Sequence, residues 1–171
     1  FLDSDTQVPF LTSKFENYKS FLTDKLEVAN YNDIGYPIEL NDDWSVYCMN
    51  SSLTSFAGIN DCNYPLLKDD KGRLNIGTRK LYQWLNVNSK KKILILHHPF
   101  EFLTEWSSSE LKKLIKLNFD LVLTGHTHEQ NILCNNNQAD SFIWCMAPQL
   151  YTDKTDKLGY SIIELKGCAV D

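Results

Sequence analysis

Ile93-Leu94-Ile95-Leu96-His97-His98-Pro99, answered downstream by Leu121-Val122-Leu123-Thr124-Gly125-His126-Thr127-His128, is the pair of segments that decides the fold. The chain has four histidines, and all of them lie in these two segments. Each histidine cluster follows a short continuous apolar run, Ile93 to Leu96 and then Leu121 to Leu123, of the kind that forms a strand buried on both faces. Between them, Ser107 to Asn118 carries Leu111, Leu114 and Ile115 at helical spacing. Ser107 and Glu110 stand at capping-box spacing at its start. The order strand, helix, strand predicts two parallel strands in one sheet, with both clusters at the same carboxyl edge. In α/β proteins that edge is where ligands bind.

The histidines themselves suggest a metal. His126 and His128 are two residues apart, so in an extended segment both imidazoles face one cavity and Thr127 turns aside. Gly125 allows a sharp turn at the strand end. His97 and His98 are adjacent, so in extended backbone they point apart. One of them is then a ligand and the other holds an outer hydrogen bond or faces a substrate. Neutral imidazole is a frequent ligand for zinc, iron, nickel and copper. No G-x-S-x-G and no G-x-x-x-x-G-K-[ST] occurs in the sequence, which removes a nucleophile elbow and a P-loop.

Around this centre the composition is that of one globular domain over residues 1–171. Hydrophobic residues make up 43% and charged residues 23%, and a chain of this length buries roughly two thirds of its unfolded surface. The net charge of −5 offers no basic footprint for a nucleic-acid backbone. Five cysteines with no C-x-x-C exclude a disulfide framework and a thiolate zinc site. They favour a reducing compartment, hence a cytoplasmic location, over secretion. No apolar stretch is long enough for a membrane span and no signal peptide is visible. The first residue is Phe1 rather than Met, which reads as a piece of a longer protein.

Upstream, Phe15, Tyr18, Phe21, Leu22 and Leu26 form the stripe of an amphipathic helix after a tail at Phe1 to Val8. Tyr36 to Leu40 and Trp44 to Met49 read as strands. Asn50 to Asn75 reads as a long loop, and a short helix follows, capped by Thr78 and carrying Leu81, Trp84 and Leu85. After the second cluster, Ile132 to Cys134, Ser141 to Met146 and Tyr160 to Leu165 read as short strands. Asn135-Asn136-Asn137 is read as the turn after the first, and antiparallel pairing is expected. Phe100, Phe102 and Trp106 are candidates to wall a pocket beside His97 and His98, or simply to pack beneath the loop.

A strand ending in His-His-Pro, a helix, and a strand ending in Gly-His-Thr-His, with His97 and His126 29 residues apart, resembles the calcineurin-like metallophosphoesterases. Val46 to Ser52, with its Asn50-Ser51 end, and Lys80 to Leu85, with its Trp84-Leu85 end, extend the similarity. The resemblance runs from about Trp44 to Leu165 and, more loosely, over the Phe15 helix. It implies an α/β fold, the C-terminal half of a four-layer αββα sandwich with mixed sheets and flanking helices. It also implies metal-dependent hydrolysis of phosphate mono- or diesters at a site for two divalent metal ions, Mn, Fe, Zn or similar, with their identity left open. By the same resemblance His97 and His126 bind the second metal and His128 the first, while His98 falls where the family varies.

The family's earlier motifs, Asp-x-His, Gly-Asp and Gly-Asn-His-Asp/Glu, have no counterpart here. Two of them require a histidine, and every histidine is already assigned. No catalytic residue is therefore identified in this chain. The expected partners are a phosphate-ester substrate and the missing N-terminal half of the domain. That half is expected to add strands beside those carrying His97 and His126. The alternative is a catalytically incomplete pairing module of the same fold. A metallo-β-lactamase reading ranks below both, since Gln130 and Asn131 stand where its H-x-H-x-D-H motif wants Asp and His.

Overall fold

The structure, a computed structural model, describes residues 12–28, 31–55, 69–127, 131–137, 140–148 and 159–166. Six strands form one mixed sheet: β1 (Gly35–Glu39), β2 (Trp44–Met49), β3 (Lys91–Leu96), β4 (Leu121–Thr124), β5 (Asn131–Asn137) and β6 (Asp140–Met146), in the spatial order β1-β2-β3-β4-β6-β5. The strands β2, β3, β4 and β6 run parallel, and β1 and β5 close the two edges antiparallel to their neighbours. Three helices accompany the sheet: α1 (Glu16–Lys25), α2 (Arg79–Val87) and α3 (Glu105–Asn118). The architecture is the mixed α/β sheet with flanking helices that the sequence predicts.

One face of the sheet carries the main core. Tyr47, Leu94, Leu96 and Val122 alternate onto it and meet Leu81 and Trp84 of α2 and Leu111, Leu114 and Ile115 of α3. Trp84 lies between Tyr47 and Phe119, with ring centroids 5.3 and 6.1 Å away. Each fully buried leucine here contributes roughly 1.5–3 kcal/mol by leaving water. The opposite face carries Trp44, Val46, Ile93, Leu121 and Cys145. Its cover is thinner: Leu165 packs against it, yet Ile38, Ile95 and Ile143 stay 38–44% exposed.

Several expectations need correction. β3 lies between β2 and β4, and β4 between β3 and β6, so the strands carrying His97 and His126 have no free edge for further strands. The α3 cap is Thr104, whose hydroxyl accepts from Ser107 N at 3.4 Å and bonds Asn75 Oδ1 at 3.0 Å. Ser107 is inside the helix, and Glu110 pairs with Lys113 on its surface. Thr78 occupies the cap position of α2 without a side-chain cap bond. The three asparagines read as a turn continue β5 instead, paired with β6.

Tyr160 to Leu165 forms no strand, although Leu165 packs on the sheet. Tyr160 and Ile162 are exposed, and the segment pairs with no strand among the described residues. The α1 stripe is mostly open: Leu22 alone is buried, while Tyr18, Phe21 and Leu26 are about half exposed. The expected tail at residues 1–8, and Cys62 and Cys168, lie outside the described residues.

Candidate metal centre

β3 and β4 pair in parallel with Ile93 opposite Leu121 and Ile95 opposite Leu123. That register brings the ends of both strands level. His97 O accepts from Gly125 N at 3.0 Å, which ties the two exits together. His126 then sits at the apex of a tight turn. Thr127 N donates back to Gly125 O at 2.9 Å, and the φ of His126 is +68°. This is a γ-turn, a strained arrangement. The expectation of extended backbone fails at His126, and the positive-φ residue is His126 rather than the glycine. A residue held in this conformation costs on the order of 1–2 kcal/mol. Such strain concentrates at functional sites.

The turn aims the His126 ring at the first cluster. His126 Nδ1 and His97 Nε2 are 3.1 Å apart. Two imidazole nitrogens bound to one ion at about 2.0–2.1 Å stand roughly 2.9–3.4 Å apart, for angles between octahedral and tetrahedral. In the metal-free chain the contact is a hydrogen bond between the two rings; its spacing matches that of two imidazoles on one ion, which would replace the shared proton. The His98 ring joins them, with centroids 4.7 Å from His97 and 4.6 Å from His126. Adjacent residues of an extended strand would point apart, but β3 ends at Leu96 and the chain bends at His97, so both rings share one side. Candidate ligand atoms of His97, His98 and His126 all lie within 4.8 Å of one another. His128 lies outside the described residues.

His98 is held differently from the other two. It is buried at 4% exposure, and Ser51 grips it twice. Ser51 Oγ accepts from His98 N at 3.0 Å and lies 3.0 Å from His98 Nδ1. Because Oγ already accepts from the backbone, its hydroxyl proton is the natural partner for Nδ1. In that arrangement the ring proton is on Nε2 and His98 donates toward the cluster; with the proton on Nδ1 instead, Nε2 is free to ligate. Asn50 fixes this loop: its side chain donates to Asp33 O at 2.8 Å and accepts from Ser52 N at 2.9 Å. The Asn-Ser end of β2 was legible as a family feature, but the role of Ser51 was not.

Burial, together with the neighbouring imidazoles of His97 and His126, pushes the His98 ring down to about 4; Asp70 and Ser51 oppose the shift. The metal-free folded chain keeps His98 neutral where the unfolded chain protonates it near 6.5. The unfolded state then binds the extra proton, so stability falls as pH drops from about 6.5 to about 4 and rises again on neutralisation. Urea unfolding at pH 4.5 and pH 7.5 should show the difference, and His98→Gln should shrink it. An equal pH dependence in that variant would assign the effect to other groups.

Among the described residues the cluster contains no carboxylate. Asp70, which acts on His98 electrostatically and is hydrogen-bonded by the Ser55 hydroxyl, was not singled out by sequence reasoning. Of the three aromatic candidates, Phe102 walls the site, 4.4 Å from His126 and 5.7 Å from His98 between centroids. Phe100 is buried against Trp144, and Trp106 is 60% exposed.

The chain matches the family model described as calcineurin-like phosphoesterase over residues 6–130. That span takes in α1 and both histidine clusters. It stops short of β5 and β6. No curated protein matches the chain. Among the described residues no helix is long and apolar enough to cross a membrane.

Proposed function

The chain belongs to the calcineurin-like phosphoesterase family, and on that premise we propose that it supplies the histidine-bearing half of a dinuclear phosphoesterase site. The observation that carries this reading is the 3.1 Å approach of His97 Nε2 to His126 Nδ1 at the carboxyl edge of the sheet. His97 and His126 are the proposed ligands of one ion, and His128 of the other. His98, with its Nδ1 engaged by Ser51, is proposed to donate from Nε2 to a phosphoryl oxygen rather than to bind metal. Phe102 shields the cluster on one side. Divalent ions supply Lewis acidity toward a phosphoryl oxygen in chemistry of this kind.

Imidazoles carry no negative charge, and a pair of divalent ions needs carboxylates to balance it. We therefore place the missing ligands in an N-terminal half of the domain. The exposed apolar side chain of Ile143 favours face-to-face packing of that half over addition at an edge. The same observations favour a second reading, a pairing module that catalyses nothing alone.

The test compares this chain with the upstream-extended reading frame on an aryl phosphate monoester and diester with manganese. The 171-residue chain is expected to bind the cation measurably and to hydrolyse neither ester appreciably. The extended protein is expected to turn over at least one ester and to lose that activity to a chelator. Robust, chelator-sensitive turnover by the short chain alone would refute the half-site reading. An extended protein that carries the earlier ligands and stays inactive would favour the pairing module.

A further inference from the structure

A cavity of about 510 Å³ opens beside His97 and runs between α1 and the β1–β2 edge of the sheet. Its volume falls in the range of roughly 300–1,000 Å³ that small organic ligands occupy. Phe15, Tyr18, Tyr31, Tyr36 and Ile95 form its apolar wall, and Asn32, Asp33 and the 50–52 turn form a smaller polar one. The three tyrosines pack as a group, with centroids 6.3 Å apart for Tyr18 and Tyr31 and 5.3 Å for Tyr31 and Tyr36. This accounts for the Phe15 and Tyr18 end of the stripe, while Phe21 and Leu26 lie outside the cavity. Phe15 and Tyr18 face a cavity, not a filled core.

We propose that this cavity takes the organic group of the phosphate ester, and that this group is an uncharged aromatic or aliphatic alcohol. The assignment rests on the phosphoesterase reading of the histidine cluster. His97 lines the cavity and also faces His126, so a phosphoryl group at the histidines places its ester substituent at the cavity mouth.

The charge of the walls selects the class. Among the described lining residues there is no lysine or arginine, and there is one carboxylate, Asp33. A polyphosphate or nucleotide tail would need fixed cations to replace its hydration. Here it would meet a carboxylate and aromatic rings. Lys14 is committed elsewhere, donating to Ser52 O and Ser55 O at 3.0 and 2.9 Å. Burial raises the hydroxyl pKa of Tyr31 and of Tyr36, aided by side-chain hydrogen bonds to Asp33 and to Tyr18 respectively. These two tyrosines therefore stay neutral at working pH. Apolar rings against flat aromatic walls contribute through burial and through edge or offset contacts.

The experiment is equilibrium dialysis of 2-naphthol, with adenosine diphosphate as the charged comparison, against the whole chain without metal. Saturable naphthol binding is expected, and none for the nucleotide. Ile95→Trp, at a position 38% exposed, should fill the cavity and raise the naphthol Kd at least tenfold. Tyr31→Ala should remove a wall and raise it about fivefold. Thermal melts identify any variant that has simply unfolded. With manganese added, naphthylmethyl phosphonate is expected to displace naphthol.

Absence of saturable naphthol binding, native affinity in both variants, nucleotide binding of equal strength, or failure of the phosphonate to compete would each overturn the assignment. The naphthol arm needs no metal. Intact naphthol binding beside a failed metal titration would therefore sink the phosphoesterase reading and leave the cavity as an organic-ligand site.

Discussion

His126→Asn is expected to lower the affinity for a divalent cation by roughly a hundredfold or more, a loss of about 3 kcal/mol, while leaving the metal-free fold within about 1 kcal/mol of the native chain. His126 has two separable roles. Its ring approaches His97 to 3.1 Å, and its backbone holds a φ of +68°. Asparagine is enriched at positive φ and removes the imidazole. His126→Val removes the imidazole too, and forces a β-branched residue into a region it resists. That variant should lose metal affinity equally and stability in addition, by about 1–2 kcal/mol.

His97→Ala should match the metal loss of His126→Asn. His98→Ala should cost only about tenfold, the scale of an outer partner, since Ser51 occupies its Nδ1. Titration calorimetry with manganese or zinc, beside urea unfolding, reads both quantities. A loss in His98→Ala equal to that in His97→Ala would place His98 among the ligands. Retained affinity in both His97→Ala and His126→Asn would end the metal reading of the cluster.

The part of this site that could be read from sequence is the part fixed by sheet regularity. Apolar runs at Ile93 to Leu96 and Leu121 to Leu123 have few alternatives to parallel strands, so the level exits of His97 and His126 follow from pairing. What lies past Leu96 and Thr124 does not follow. The bend that turns His97 and His98 to one side, and the γ-turn at His126, begin where period-2 alternation stops applying. Ser51 was hidden for a related reason: it is distant from His98 in sequence, and serine in a turn carries no signal of what its hydroxyl will meet. The α1 stripe misled in the opposite direction. Its spacing correctly gives a helix, but spacing cannot tell a face that meets a filled core from one that borders a cavity. The missing-strand geometry was wrong because the resemblance was read along the sheet's edge. The observed strand order leaves neither edge of β3 or β4 free.

The sheet's more thinly covered face sets the last expectation. Val122→Asp should leave little or no folded chain, whereas Ile143→Asp should cost less than about 1 kcal/mol. Val122 is fully buried in the helix-covered core and lies opposite Trp144 in the β4–β6 ladder. A carboxylate there has no charged partner in an apolar surround, which costs several kcal/mol against a total stability of about 5–15 kcal/mol. Ile143 is one residue from Trp144, so its side chain projects to the other face, and it is 44% exposed. In the upstream-extended protein the comparison should change. If a second layer packs across Ile143, Ile143→Asp buries a charge there and should weaken the extended protein by several kcal/mol. Urea unfolding of the two lengths, each with and without Ile143→Asp, separates the cases. A short chain unfolded as fully by Ile143→Asp as by Val122→Asp would mean the face is already filled, leaving the proposed second half nowhere to pack. An extended protein indifferent to Ile143→Asp would place that half elsewhere.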